Sequence, residues 1–271
     1  MEIKSGLLEV PGSRLYYEEA GSGQPVVLVH GMTLDRRMWD DQFAPFAEQF
    51  RVIRYDARGF GRSDLPKADE PFAQEDDLKA VLDALSIDQA SLIGLSMGGG
   101  TVIDFAFCSP ERTRALVAVD AAVNFRGHRP TPEVRDLLGG VSELARTAGF
   151  EKARERWLTS SLFAPANEQP AVAARLRQMV EEYPGWHWVN TPAPTGREIP
   201  TVDRLGEITA PTLVVVGDRD LSYFLTGADL LVERLPNARK AAIVGAGHMP
   251  NMEDPARFNQ VVLEFLTGLP A

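Results

Sequence analysis

The sequence predicts an α/β fold built on a mostly parallel sheet. Short runs of Val, Ile and Leu, typical of strands buried on both faces, alternate with segments of helical periodicity up to about residue 123 and again from residue 207. Between them, residues 124–206 contain helical stretches and a Pro-rich, aromatic passage without this alternation. Because both flanks belong to one sheet, we expect an α/β core from residues 1–123 and 207–271, with residues 124–206 inserted as a helical cap.

The first half of the chain predicts a hairpin and then alternating strands and helices. Residues 7–10 and 15–19 flank a Pro-Gly-Ser turn, which indicates an antiparallel hairpin at a sheet edge. A continuously apolar strand follows at 25–29. Further strands are expected at 52–55, 90–95 and 116–119, and helices at 39–50, 73–85 and 97–108.

The second half predicts the cap helices and the return to the sheet. Helical stretches are expected near 132–148, 151–161 and 170–182. The core then resumes with strands at 211–216 and 241–244 and helices at about 227–235 and 255–267.

Composition excludes several classes of function. The chain has 271 residues, 44% of them hydrophobic and 24% charged, which is typical of a soluble domain. A net charge of −10 argues against a nucleic-acid partner. The four histidines are not spaced as metal ligands, and the single cysteine, Cys108, has no intramolecular disulfide partner. Without a signal peptide pattern or a bilayer-length apolar run, we expect a cytoplasmic protein with no membrane contact.

The segment Gly94-Leu95-Ser96-Met97-Gly98 carries the strongest chemical signal. It has the pattern G-x-S-x-G, directly after a predicted strand and directly before a predicted helix. A serine at such a sharp turn exposes its hydroxyl, and the flanking glycines remove Cβ atoms that would collide there. We therefore predict that Ser96 is a nucleophile.

Two other strand ends carry the groups that would activate this serine. Asp220 follows the strand at 211–216, and His248 follows the strand at 241–244. Carboxyl ends of parallel strands meet at one edge of the sheet, so Ser96, Asp220 and His248 can form a catalytic triad there. Asp218, nearer its strand, and Asp120, directly after another strand, remain alternative positions for the acid.

The backbone around the predicted nucleophile supplies candidate oxyanion donors. We expect the amides of Met97, after the serine, and Met32, after His30-Gly31, to form an oxyanion hole. His30 itself is expected to brace its loop, and His128 and His187 to lie on the cap surface or line the pocket. Asp56 and Arg58 are expected to brace the loop that contains them.

With these motifs, the chain resembles the α/β-hydrolase fold superfamily over essentially its whole length. The resemblance rests on His30-Gly31-Met32, Asp56-x-Arg58-Gly59-x-Gly61-x-Ser63, the serine segment, Gly217-Asp218-Arg219-Asp220 and Gly245-x-Gly247-His248. It implies an eight-stranded, mostly parallel sheet flanked by helices, a helical cap, no metal or organic cofactor, and an acyl-enzyme mechanism.

Within that superfamily the chain is most similar to the branch of carboxylesterases, enol-lactonases and cofactor-free haloperoxidases. Ser96 argues against the related dehalogenases and epoxide hydrolases, which have an aspartate there. Haloperoxidase-like members often carry a proline close after the oxyanion loop, where this chain has Thr33 and Leu34.

The predicted function is hydrolysis of small-molecule esters or lactones of small to medium apolar acids. A carbon–carbon bond hydrolase, a perhydrolase and a small-molecule sensor that retains the triad are the alternatives. Four aromatic side chains of the cap segment are the candidate substrate-binding residues: Phe125, Trp157, Trp186 and Trp188. The sequence gives no indication of the oligomeric state.

Overall fold

The computed structural model describes residues 1–67, 70–123, 128–192 and 202–270, and eight strands within these ranges form a single sheet. The strands are β1 (Ile3–Val10), β2 (Ser13–Ala20), β3 (Pro25–Val29), β4 (Arg51–Tyr55), β5 (Ala90–Leu95), β6 (Thr113–Val119), β7 (Thr212–Gly217) and β8 (Ala238–Ile243). Their order in the sheet is β1-β2-β4-β3-β5-β6-β7-β8.

Most of the sheet is parallel, which confirms the predicted fold class. β1 and β2 form an antiparallel hairpin at one edge, and β2 also pairs antiparallel with β4. All pairs from β4 through β3, β5, β6 and β7 to β8 are parallel. The central strands β5 and β6 are apolar along nearly their whole length because helices cover both of their faces.

Eleven α-helices lie within the described ranges. They are α1 (Asp40–Ala47), α2 (Gln74–Ala84), α3 (Met97–Cys108), α4 (Pro132–Thr147), α5 (Phe150–Leu158), α6 (Ala164–Asn167), α7 (Pro170–Glu182), α8 (Trp186–Val189), α9 (Ser222–Arg234), α10 (Pro250–Glu253) and α11 (Pro255–Thr267). The helices α4 to α8 occupy the stretch predicted as the cap, and residues 128–192 contribute no strand to the sheet. None of the helices in the described ranges combines the length and apolarity that a bilayer span needs.

Two elements near the carboxyl end differ from the sequence-based expectation. Helix α9 begins at Ser222, five residues before the predicted start, because Gly227 lies inside the helix against Val123. Strand β8 runs from Ala238 to Ile243 and includes charged residues that an edge strand tolerates. Val244, predicted to end this strand, lies beyond it and is 81% exposed.

Charged side chains brace the loop after β4, as the sequence predicts. The buried Asp56 carboxylate accepts hydrogen bonds from the backbone N–H groups of Arg36 and Arg62, both at 2.9 Å. Arg58 forms an ion pair with Asp77 of α2 at 2.6 Å, and the two side chains are only 4% and 3% exposed. The loop is thereby fixed to the helix that follows it.

Removing the partner of Arg58 should destabilise the fold. In Asp77→Ala the guanidinium stays buried without its counter-charge, and such losses cost about 3–5 kcal/mol of unfolding free energy. Lys79→Ala is the matched control on the same helix, because Lys79 pairs with Asp83 at the surface, and we expect a change within about 1 kcal/mol. Urea denaturation measures both variants, and equal losses would contradict the proposed role of the buried pair.

Candidate active site

The backbone at Ser96 turns sharply between β5 and α3. Ser96 has φ 55° and ψ −112°, a left-handed region that non-glycine residues rarely adopt. A Cβ at Gly94 would collide with the carbonyl oxygen of Gly98, and a Cβ at Gly98 with that of Val29. The two glycines are therefore required for the helix to start this close to the strands.

Hydrogen bonds from the neighbouring strand hold this turn in place. The Ser96 N–H donates to the Val119 carbonyl at 2.9 Å, and the Ser96 carbonyl accepts from Gly100 and Ala122 at 3.0 and 2.9 Å. These bonds tie both backbone polar groups of Ser96 to β6, its continuation and α3. They leave the side chain to face the cavity described below.

Two backbone N–H groups beside Ser96 have no acceptor among the described residues. One belongs to Met97, the first residue of α3, and the other to Met32, in the loop after β3. Both residues line the same cavity as Ser96. The Met97 N–H lies at the start of α3, where unpaired donors favour negative charge, and the Met32 N–H is a second donor from a residue that lines this cavity.

Asp220 and His248 are joined by a hydrogen bond between buried side chains. His248 Nδ1 lies 2.7 Å from Asp220 Oδ2, and the two side chains are 3% and 0% exposed. Asp218 instead lies at the surface, where its carboxylate accepts the Gly245 N–H at 2.7 Å. Of the two acids in this loop, Asp220 is therefore the one that can orient the imidazole.

Asp120 lies behind this pair and supports it. Asp120, Asp220 and His248 each place a polar atom within 4.8 Å of the others, the only such trio close enough to surround a metal ion in the described ranges. Asp120 accepts the Gly217 N–H at 3.2 Å and shares a side-chain hydrogen bond with Asp220. Burial, and then the Asp220 charge, raise the pKa of Asp120 well above its usual range. The raised pKa favours the protonated form of Asp120, in which its carboxyl group donates to the Asp220 carboxylate.

Glu253 is a supporting residue that sequence reasoning missed. Its carboxylate accepts the N–H groups of Gly247 at 2.6 Å and Met249 at 3.0 Å, the residues on either side of His248. It thereby fixes the backbone that carries the imidazole. A glutamate five positions after a histidine carries no recognisable signal in a single sequence, so this role emerges only from the structure.

His30 and His187 are held by hydrogen bonds or ring stacking within the fold. His30 Nε2 accepts the Ala57 N–H at 2.9 Å, so Nδ1 is protonated and donates to the Gly31 carbonyl at 2.8 Å. Both nitrogens are used, and burial lowers the pKa of His30, so it braces its loop as expected. His187 stacks on Phe60 with ring centroids 4.5 Å apart, and burial lowers its pKa to about 4.

A cavity of about 310 Å³ opens at Ser96, and we call it the main cavity. Side chains of the cap helices α4 and α5 form one wall and α3 another. The lining residues are Met32, Gln74, Glu75, Ser96, Met97, Gly100, Thr101, Asp104, Ala122, Pro130, Val134, Leu137, Leu138, Trp157, Leu162, Leu221, Tyr223 and Phe224. The Phe224 ring contacts the His248 imidazole with centroids 4.2 Å apart, so the histidine borders this cavity.

Of the three predicted substrate-binding aromatics that lie within the described ranges, one lines the main cavity. Trp157 does, and its Nε1–H donates to the Thr33 hydroxyl at 2.7 Å. Trp186 and Trp188 do not line it, because Trp186 packs against Phe72 and the buried Trp188 against other aromatic rings. His128 and His187 are also absent from the lining. Phe125 lies outside the described residues.

The protonation of Asp120 should appear in the pH dependence of stability. The unfolded chain releases this proton near pH 3.9, whereas the raised pKa makes the folded chain release it at a higher pH, so this group lowers wild-type stability as the pH rises above about 3.9. Asp120→Asn retains a donor for Asp220 and an acceptor for Gly217 without a titrating proton. We expect the unfolding free energy of Asp120→Asn to fall less steeply than that of wild type as the pH rises above about 3.9, by at most about 1.4 kcal/mol per pH unit.

Urea denaturation at several pH values measures this slope. Asp120→Ala is the companion variant: it lacks both hydrogen-bonding groups and should be destabilised at every pH. If the unfolding free energies of wild type and Asp120→Asn change with pH at the same slope, Asp120 is ionised in the folded protein.

Comparison with known proteins identifies the family of this chain. A model of the alpha/beta hydrolase family matches residues 26–261. The candidate carbamate hydrolase RutD of Azorhizobium caulinodans is 31% identical over 261 residues, which cover 93% of this chain and 94% of that protein.

Solved structures agree with this match. A thermophilic esterase from Thermogutta terrifontis superposes with a TM-score of 0.80 and is 31% identical in sequence. The superposition covers 99% of this chain and 100% of the esterase chain. An enol-lactonase from Burkholderia xenovorans gives a TM-score of 0.79 at 27% identity, with coverage of 97% and 100%. The chain therefore belongs to the alpha/beta hydrolase family.

Proposed function

We propose that this protein is a serine hydrolase that cleaves carboxylic esters or lactones through an acyl-enzyme intermediate. The proposal rests on the groups that surround the Ser96 side chain. Its side chain lines a cavity beside two backbone N–H groups without an acceptor, and this cavity borders a histidine paired with a buried aspartate. Membership of a hydrolase family, with an esterase and an enol-lactonase among the solved relatives, supports it.

In the first half of the reaction, the substrate acylates Ser96. The hydroxyl oxygen attacks the carbonyl carbon while His248 Nε2 takes the hydroxyl proton. The N–H groups of Met32 and Met97 stabilise the negative charge on the former carbonyl oxygen. The carbon–oxygen bond to the alcohol then breaks, and His248 returns the proton to that oxygen. Asp220 stabilises the imidazolium throughout.

In the second half, water releases the acid. His248 removes a proton from water, whose oxygen attacks the acyl carbon, and the same two amides hold the oxyanion. Collapse of this intermediate breaks the bond to Ser96, which regains its proton from His248. The raised pKa of Asp120 favours its neutral form, which holds Asp220 in place without adding a second negative charge beside the imidazole.

The size and lining of the main cavity support small to medium substrates. Its volume of about 310 Å³ is at the lower end for ligand pockets. Near the cap its wall is apolar, with Val134, Leu137 and Leu162, which favours contact with the hydrocarbon part of a substrate.

Replacing Ser96 tests the reaction type. We expect Ser96→Ala to lose 4-nitrophenyl butyrate hydrolysis almost completely, by about six orders of magnitude in kcat if the serine acts within a triad. Wild type should release a rapid burst of 4-nitrophenol as the acyl-enzyme forms. Ser22→Ala, at an exposed position, is the control and should match wild type. Undiminished turnover by Ser96→Ala would refute the nucleophile, whereas binding without turnover by wild type would favour the sensor function.

Variants of the neighbouring residues Asp218 and Asp220 distinguish the catalytic acid from a structural one. Asp220→Asn should lower kcat by about four orders of magnitude, because the amide favours the wrong tautomer of His248. Asp218→Asn should retain nearly wild-type kcat, because Asp218 only accepts a backbone N–H at the surface. Steady-state kinetics on the same ester compare them, and the opposite ranking would assign the acid to Asp218.

A further inference from the structure

Thr33, in the loop after β3, has a backbone conformation that a threonine rarely adopts. The segment from Gly31 to Leu34 is a β-turn, closed by a hydrogen bond from the Leu34 N–H to the Gly31 carbonyl at 3.3 Å. Thr33 is the third residue of this turn and has φ 66°. Glycine or asparagine normally supplies a positive φ at this position, and a β-branched side chain there is strained. The chain therefore has a threonine where glycine would fit without strain.

Backbone strain of this kind also occurs elsewhere in the proposed active site. Four non-glycine residues of the described ranges have a positive φ: Thr33, Ser86, Ser96 and Asp120. Ser86 lies in an exposed turn after α2, whereas Ser96 is the proposed nucleophile and Asp120 supports Asp220. Such strain persists only where the surrounding structure enforces it. The contacts of Thr33 indicate what enforces it here.

The Thr33 hydroxyl lies between a donor from the cap and an acceptor from its own loop. Thr33 is fully buried, at 0% exposure. Trp157 Nε1 lies 2.7 Å from the hydroxyl oxygen, and an indole N–H can only donate. The hydroxyl proton is therefore left for the Met32 carbonyl, whose oxygen is 2.6 Å away. Trp157 thus sets the direction in which Thr33 donates.

Hydrogen bonds hold the peptide groups on both sides of Met32. The group that joins Gly31 to Met32 carries the Met32 N–H. Its carbonyl oxygen accepts the Nδ1–H of His30 at 2.8 Å and the N–H of Leu34. The oxygen of the next peptide group, that of Met32, accepts the Thr33 hydroxyl and no other donor from the described residues. Because each peptide group is planar, fixing both groups fixes the direction of the Met32 N–H.

We propose that Thr33 is a positioning residue for ester hydrolysis: its hydroxyl, directed by Trp157, holds the Met32 N–H where it can donate to the oxyanion. This inference rests on the proposed function, because the N–H acts only if negative charge develops on a carbonyl oxygen beside Ser96. Thr33 does not line the main cavity, so it acts through Met32 and not on the substrate. Loss of the hydroxyl therefore weakens stabilisation of the oxyanion and leaves substrate binding nearly unchanged.

Three substitutions at Thr33 separate the hydroxyl from the backbone strain. Thr33→Ser retains the hydroxyl and should keep kcat for 4-nitrophenyl butyrate within about threefold of wild type. Thr33→Val keeps the shape without the hydroxyl, and Thr33→Gly removes both the hydroxyl and the strain. Both should lower kcat about tenfold, with KM changed by less than about threefold. Wild-type kcat in Thr33→Gly would show that the hydroxyl is not needed and would overturn the inference.

Thr159→Val is the matched control for loss of a threonine hydroxyl. Thr159 follows α5 at the surface, where its hydroxyl donates to the Glu155 carbonyl at 2.7 Å, and its variant should match wild type. Urea denaturation shows whether each variant is folded under the assay conditions. If Thr33→Val does not fold, Thr33→Gly carries the test, because glycine suits the turn. A purely structural role predicts wild-type kcat in folded Thr33→Gly.

An analogue of the oxyanion provides a readout that does not need turnover. In propyl trifluoromethyl ketone, the Ser96 oxygen adds to the carbonyl carbon, His248 takes the hydroxyl proton, and the carbonyl oxygen becomes an oxyanion. By calorimetry, wild type and Thr33→Ser should bind this ketone about tenfold more tightly than Thr33→Gly. If wild type hydrolyses no ester, the proposed function fails and ketone binding decides the inference. Equal binding by wild type and Thr33→Gly, or no binding, would refute the role of Thr33.

Discussion

The backbone conformation at Ser96 is the constraint on which the rest of the site depends. A non-glycine residue at φ 55° costs about 1–3 kcal/mol and persists only where its surroundings enforce it. Here the enforcement comes from hydrogen bonds to β6 and from the close approach of α3 to β3 and β5, which Gly94 and Gly98 permit. Because β3 and β5 are adjacent and parallel, the loop with Met32 and the start of α3 with Met97 converge beside the same side chain.

The sheet and the groups at its carboxyl edge could be predicted because they follow from short-range patterns and one topological rule. Apolar runs mark the buried strands, and parallel strands place their loops at one edge, which brings Asp220 within 2.7 Å of His248. What the sequence left open depended on tertiary context. Helix α9 begins at Ser222, five residues before the predicted start, and Gly227 packs against Val123 inside it. In the cap, helical periodicity does not tell whether a tryptophan faces the cavity, as Trp157 does, or a neighbouring helix, as Trp188 does.

Buried carboxyl groups in this protein differ in what compensates for their burial. Asp56 accepts backbone N–H groups and pairs with Arg36, and Asp77 is paired with Arg58. Burial, and then the Asp220 charge, raise the pKa of Asp120, which favours a proton shared between the two carboxyl groups. Each of these buried acids is thereby compensated from within the fold.

The hydrogen bond from Trp157 to Thr33 joins the cap to the loop that carries Met32. The Thr33 hydroxyl donates in turn to the Met32 carbonyl at 2.6 Å, so a continuous chain of hydrogen bonds connects α5 to one of the two proposed oxyanion donors. If α5 swings outward to admit a substrate, this chain breaks and the loop loses its anchor. The position of the Met32 N–H therefore depends on the position of α5 in the cap.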